Sequence, residues 1–118
     1  MRWTVLFQDD FAIEFEGFSD EVQDELFAMV GHLEAFGPLA KRPQVDTLKG
    51  SKIKNLKEFR FTADGGVWRV AFAFDTKRQS IVLAAGNKAG VSSTTFYKRL
   101  ISVAEKRMAK YEAAQKDV

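Results

Sequence analysis

Apolar and polar positions alternate at the start of the chain, where Trp3, Val5 and Phe7 fall on one side of an extended segment and Arg2, Thr4 and Gln8 on the other; Leu6 breaks the pattern. A period of two is that of a half-buried strand. The period then lengthens. Val22, Leu26, Met29, Val30 and Leu33 recur at helical spacing behind Ser19, an N-cap residue type, and Asp20 and Glu21 suit the positive end of a helix dipole. Phe36-Gly37-Pro38 ends this helix, and Gly31 within it costs about 1 kcal/mol relative to alanine. Residues 37–54 follow no period and carry Pro, Gly and Lys, which predicts a connection with room for a short helical turn.

Three further strands are predicted over residues 56–62, 67–75 and 80–86. Asp64-Gly65-Gly66 supplies the turn chemistry of a hairpin, and the run from Asp75 to Gln79 a second tight connection, so the three form an antiparallel meander. A last helix over 93–114 carries the stripe Phe96, Leu100, Val103, Ala104, Met108 and Tyr111. The expected fold class is α+β: a mostly antiparallel four-stranded sheet with an N-terminal helical segment and a C-terminal helix, in a single domain over 1–118. No linker, internal repeat or low-complexity tract interrupts it.

Hydrophobic residues make up 46% of the chain, enough for a core without covalent staples. There is no cysteine, which excludes disulfides and thiolate metal sites and fits a reducing compartment. Gln8, Asp9 and Asp10 interrupt the apolar start too early for a signal-peptide core or a membrane span, so a cytoplasmic location is expected. Net charge is +2, yet residues 1–46 carry three Lys/Arg against ten Asp/Glu, a net of −7, and residues 47–118 carry fifteen against six, a net of +9. Such polarity implies internal pairing, two solvated faces, or a basic surface for a polyanion.

Strand alternation sharpens that choice. Phe59, Phe61, Trp68, Val70, Phe72, Phe74, Ile81 and Leu83 share one face, the expected core. The other face receives Glu58 and Arg60, then Arg69, Ala71, Ala73 and Asp75, then Val82, Ala84 and Gly86; Lys88 follows in the same phase and Lys57 flanks the first strand. Two cations on adjacent strands repel unless an anion lies between them. Either Glu58 and Asp75 neutralise a solvated sheet face, or Arg60, Arg69 and Lys88 converge on a phosphate, with guanidinium forks on its oxygens and the lysine as a point charge. The small residues Ala71, Ala73, Ala84 and Gly86 suit a concavity that admits a ligand, or a helix packed on the sheet.

The stretches RPQVDTLKGSKIKNLKEFRF, GGVWRVAFAFDTKRQSIVLAAGNKAG and FYKRLISVAEKRMAKY, in this order, resemble toxins of the RelE/HigB superfamily, in its phage-associated branch paired with helix-turn-helix antitoxins. The likeness is close over residues 43–111 and looser before them. It implies a RelE-like fold and a ribosome-dependent messenger-RNA endonuclease, held inactive by a cognate antitoxin in a type II pair. In such enzymes the ribose 2′-hydroxyl attacks the adjacent phosphorus without metal or cofactor, leaving a 2′,3′-cyclic phosphate and a 5′-hydroxyl. By the same resemblance Arg69 and Lys88 stabilise the phosphorane, Arg60 binds and orients the phosphate, and Tyr97 stacks on a base or assists proton transfer. Glu58, in strand phase with Arg60, is the remaining candidate base, or an orienter of the arginines. Lys49, Lys52, Lys54, Lys57 and Lys98 are expected to grip messenger or ribosomal RNA.

The single histidine, His32, lies in helical phase with Ala28 and Glu25 and reads as solvated. Ser92, Ser93, Thr94 and Thr95 look like turn and N-cap residues without a histidine partner, and no His/Asp/Glu cluster has metal-ligand spacing. Two other classes fit the same residues: a ParE-like inhibitor of DNA gyrase without a catalytic groove, and a non-catalytic RNA- or protein-binding module of the same fold. For an antitoxin, the final helix offers Phe96, Leu100, Met108 and Tyr111 as apolar anchors.

Overall fold

In the computed structural model, which describes residues 2–116, the first alternating segment is β1 (Thr4–Phe7). It stops at Gln8, whose side-chain oxygen accepts from the backbone N–H groups of Asp10 and Phe11 and caps α1 (Asp9–Glu16). The apolar pair Phe11 and Phe15 is too short a run to display a helical period, so the pattern alone does not announce this helix. α2 (Asp20–Phe36) begins as its cap chemistry predicts, with the Ser19 hydroxyl accepting from the Val22 N–H at 3.3 Å. A 3-10 turn (Gly37–Leu39) and β2 (Val45–Thr47) occupy the aperiodic connection.

Asp64 (φ 51°) and Gly65 (φ 69°) are both left-handed, the backbone signs of a type I′ hairpin, and they join β3 (Lys57–Ala63) to β4 (Gly66–Phe74). β5 (Gln79–Asn87) and α3 (Ser93–Lys116) follow. The sheet has five strands in the order β1-β5-β4-β3-β2, with β1 parallel to β5 and every other pairing antiparallel. The α+β class stands, but this mixed sheet replaces the expected four-stranded one. The added strand, β2, has three residues, too few for alternation to register.

Both faces of the sheet are covered. On one, Phe11, Val22, Leu26, Met29 and Leu33 of α1 and α2 pack on Phe59, Val70, Phe72 and Val82. On the other, Phe96, Leu100, Ala104 and Met108 of α3 pack on Ala71, Ala73, Ile81, Leu83 and Ala84. This overturns the expected phase of β5. Ile81 and Leu83 lie on the α3 side and Val82 on the α2 side, because pairing steps from Ala71↔Ala84 to Phe72↔Val82 and leaves Leu83 as the extra residue of a β-bulge. The Arg107 guanidinium donates to the Leu83 carbonyl at 3.0 Å and to Glu14 at 2.5 Å, so a carbonyl at the bulge is satisfied while α3 is tied to α1.

The small-residue floor is the seat of this helix. Ala71, Ala73 and Ala84 are buried beneath it, and a Cβ at Gly86 would stand 3.0 Å from the Phe96 ring. Phe96, Leu100 and Met108 are consumed in the same packing, and Tyr111 is half-buried, which removes them as anchors for a partner. Val103, expected in that stripe, is instead exposed.

Candidate active site

Register brings two arginines face to face. Arg60 on β3 is the direct cross-strand partner of Arg69 on β4, an arrangement of like charges that needs an anion between them. Glu58 supplies it. Its side chain is 5% exposed, with Oε2 3.4 Å from Arg60 Nη2 and Oε1 3.5 Å from Arg69 Nε. Tyr97, from the first turns of α3, donates its hydroxyl to Glu58 Oε1 at 2.8 Å and accepts from Arg69 Nε at 3.3 Å. Lys88 Nζ lies 5.5 Å from the centroid of the Tyr97 ring, within cation–π range. The sequence-predicted residues Glu58, Arg60, Arg69, Lys88 and Tyr97 thus form one cluster, in which two arginines flank one carboxylate and Lys88 joins through the Tyr97 ring.

The lengths of these contacts bear on chemistry. The Glu58 contacts to the guanidiniums, 3.4 and 3.5 Å, are long beside the 2.8 Å phenol bond, so both arginines keep donors for another oxyanion. Arg60 Nε is buried with no hydrogen-bond partner among the described residues. Arg69 Nη1 donates to the Trp68 carbonyl at 2.9 Å, which fixes the plane of its fork. Burial, then the hydrogen bond to Glu58, pushes the Tyr97 phenol above its usual range, so it is protonated at neutral pH and acts as a donor. Glu58 is enclosed by the groups it holds, which suits an orienter better than a base that must meet substrate.

Two residues that sequence reasoning passed over extend the cluster. Asp46 on β2 stands directly opposite Glu58, with Oδ2 4.0 Å from Arg60 Nη2, and it accepts from Arg42 Nε and Nη2 at 3.1 and 2.8 Å. The Arg42 hydrogen bond leads the influences that hold the Asp46 carboxyl below its ordinary range. The i, i+4 spacing of Arg42 and Asp46 was the available signal, but no strand pattern placed it beside Arg60.

Other expectations move. Asp75 lies outside the cluster and caps the turn after β4, accepting from the Lys77 and Gln79 N–H groups at 2.8 and 3.0 Å. His32 is half-buried, its ring 4.8 Å from that of Phe36 and 5.6 Å from that of Phe59. None of the five lysines joins the cluster's hydrogen bonds or ion pairs. Lys57 donates to the Thr47 hydroxyl at 2.8 Å, and Lys49, Lys52 and Lys54 stand exposed between β2 and β3. Glu105 pins that segment to α3 by accepting from the Ser51 hydroxyl and the Lys52 N–H at 3.0 and 2.6 Å. Along α3, Glu105 lies roughly 12 Å beyond Tyr97 at a helical rise of about 1.5 Å per residue. Lys98 is exposed and turned roughly 100° from Tyr97 around the helix.

The family described as "Phage derived protein Gp49-like (DUF891)" matches residues 13–109 of the chain. "Putative toxin HigB2" of Mycobacterium tuberculosis is 42% identical over 102 residues, which cover 86% of this chain and 50% of that protein. "Putative toxin HigB3" of the same organism is 39% identical over 83 residues, 70% of each chain. The chain therefore spans half the length of the first relative and more of the second. Its fold is similar to that of a solved structure of the E. coli toxin RelE, a double arginine-to-alanine mutant in the free state, with a TM-score of 0.60 and 15% identity over 91% of this chain and 98% of that one. At that identity the likeness speaks for the fold alone.

Proposed function

The chain belongs to the phage-derived Gp49-like family of the RelE/HigB toxin superfamily, and from that premise we propose that it is the toxin of a type II toxin–antitoxin pair and cleaves messenger RNA on the ribosome. The observation that carries this reading is the opposed pair Arg60 and Arg69, gathered with Lys88, Tyr97 and Glu58 on a rigid sheet. Attack by a ribose 2′-hydroxyl on the adjacent phosphorus forms the bond to the 2′ oxygen and breaks the bond to the 5′ oxygen, and negative charge builds on the phosphorane between. Cations already in place supply the largest stabilisation, because they need no reorganisation as that charge develops.

In this reading Arg69 and Lys88 face the phosphorane oxygens and Arg60 orients the scissile phosphate. Glu58 is a positioning residue that holds both arginines and the phenol. Tyr97, protonated at neutral pH, releases its hydrogen bond to Glu58 and gives its proton to the departing 5′ oxygen, the phenolate left behind being held by Arg69. Because Glu58 is enclosed, the 2′-hydroxyl proton is assigned to water in the groove. Lys49, Lys52 and Lys54 meet phosphates farther along the RNA or on the ribosome, and Lys98 and Lys57 are peripheral to that grip. The partner is a helix-turn-helix antitoxin, and the pair works in the cytoplasm.

Brief induction of the isolated chain, followed by mapping of 5′ ends on messenger RNA, tests the reading. Growth arrest with new translation-dependent ends bearing 5′-hydroxyls is expected. Arrest with gyrase-linked DNA damage and intact messages would assign a ParE-like inhibitor instead, and no effect would leave a non-catalytic binding module.

A further inference from the structure

Apart from the Phe15 ring at one edge, no element covers the outward face of α2 among the described residues. Residues 3–40 contain no lysine or arginine and nine Asp/Glu, and they build β1 and the α1–α2 layer. The helical repeat puts Asp20, Asp24, Phe27, Ala28, Gly31 and Ala35 on the side away from the buried Val22, Leu26, Met29 and Leu33, and all six are exposed.

Three observations set this face apart from an ordinary solvated one. Phe27 exposes 59% of its surface, its ring braced edge-on against Phe15 at 5.3 Å. Beside it, Ala28, Gly31 and Ala35 leave a strip with no side chain larger than a methyl group. Gly31 sits mid-helix, and nothing lies within 4 Å of the place a Cβ would occupy. Neither its backbone nor its own packing calls for glycine, although alanine would favour the helix. Finally, Asp20 and Asp24 have no cation within 4.0 Å among the described residues.

We propose that this face of α2 is the docking surface for a cationic amphipathic helix of a partner protein, the antitoxin on the reading above, with Phe27 as the apolar knob and Ala28, Gly31 and Ala35 as the line of close approach. The inference rests on the toxin–antitoxin reading and adds to it the surface and the chemistry of the partner. Charge selects the occupant. A helix bearing Lys or Arg meets Asp20 and Asp24, whereas α2 of a second copy would set carboxylate against carboxylate. Small residues let two helix axes approach to about 8 Å, the close end of helix packing, and a methyl group added at Gly31 would hold them apart. The competing surface, the apolar stripe of α3, is already spent on the sheet.

The test uses the full chain and the purified product of the gene next to it, with binding followed by calorimetry and stability by melting. Phe27→Ser and Asp24→Lys are each expected to weaken binding by about tenfold or more, and wild-type binding to weaken as salt rises. Gly31→Ala is expected to raise the melting temperature of the free chain and yet weaken binding, a pair of opposite effects that a purely structural role does not produce. Message cleavage by each free variant should match wild type. Binding that changes by less than about twofold in all three variants, or a wild-type homodimer that Asp24→Lys abolishes, overturns the docking proposal and leaves the toxin reading standing. A wild-type chain that does not bind the neighbouring product also overturns it. The toxin reading fails separately, by the absence of growth arrest and cut messages.

Discussion

Arg69 belongs at once to the candidate chemistry and to the fold. Strand alternation by itself makes Arg69→Ala look harmless to packing, since Trp68 and Val70 on either side point toward α2. Yet its side chain is only 14% exposed and its guanidinium lies against the buried Glu58. Removing it leaves that carboxylate with Arg60 and Tyr97 alone, at a cost of about 1–3 kcal/mol. Arg69→Ala is therefore expected to lose both stability and cleavage. Arg69→Lys separates the two, because it keeps a charge near Glu58 and deletes the planar fork. It should melt within about 1 kcal/mol of wild type and cleave roughly 100-fold more slowly in single turnover. Wild-type cleavage by a normally folded Arg69→Lys would remove this residue from phosphate binding. Lys88→Ala should lose less, and the double variant less than the product of the single losses, because groups that stabilise one transition state act as a unit.

At the scale of elements, the ends and interior of α2 use glycine for opposite reasons. Gly37 closes the helix at φ +50°, with ring atoms of Trp3 2.4 Å from the place of a Cβ, so both backbone and space demand glycine. Gly37→Ala should cost at least about 2 kcal/mol, a fall of roughly 8 °C in Tm for a chain of this length. A melting temperature within a degree or two of wild type would show that β1 can shift away from the helix end without loss. Gly31 has neither constraint, and its alanine variant should gain up to about 1 kcal/mol. The sheet shows the same dependence on local detail. One extra residue, Leu83, rotates the first half of β5 relative to the second and so decides which side chains α3 covers.

Across the whole molecule, the charge split along the chain becomes a split across the sheet. The acidic layer of α1 and α2 covers one face, while Arg60, Arg69, Lys88 and most of the lysines belong to the other face and its rim. Seams between the two halves are ion-paired, as in Glu14 with Arg107 and Asp10 with Lys110. The exposed lysines between β2 and β3 are held on α3 by Glu105 and carry no ion pair among the described residues, so their contribution to RNA binding should be electrostatic and general. Replacing Lys49, Lys52 and Lys54 with glutamine should flatten the salt dependence of ribosome binding by about one unit of slope per lost contact. Codon preference and melting should stay as they are. A slope that does not move would make the three lysines bystanders; Lys57, engaged with Thr47, should add little to the effect.

The amino-acid order alone determined the meander, the cap at Ser19, the hairpin turn at Asp64-Gly65-Gly66, and the placing of Arg60 and Arg69 on the face away from Phe59 and Val70, because each depends on local period or turn chemistry. A resemblance carried by three stretches of chain extended that to the family. Only the tertiary structure decided that the alanine floor seats a helix, that β5 changes phase at Leu83, and that Asp46 from a three-residue strand stands beside Arg60. It alone brought Tyr97 across from α3 to share Glu58 with Arg69. Contacts of that kind join residues 28 and 39 positions apart, and no local period reports on pairings set by register and by how a helix crosses a sheet.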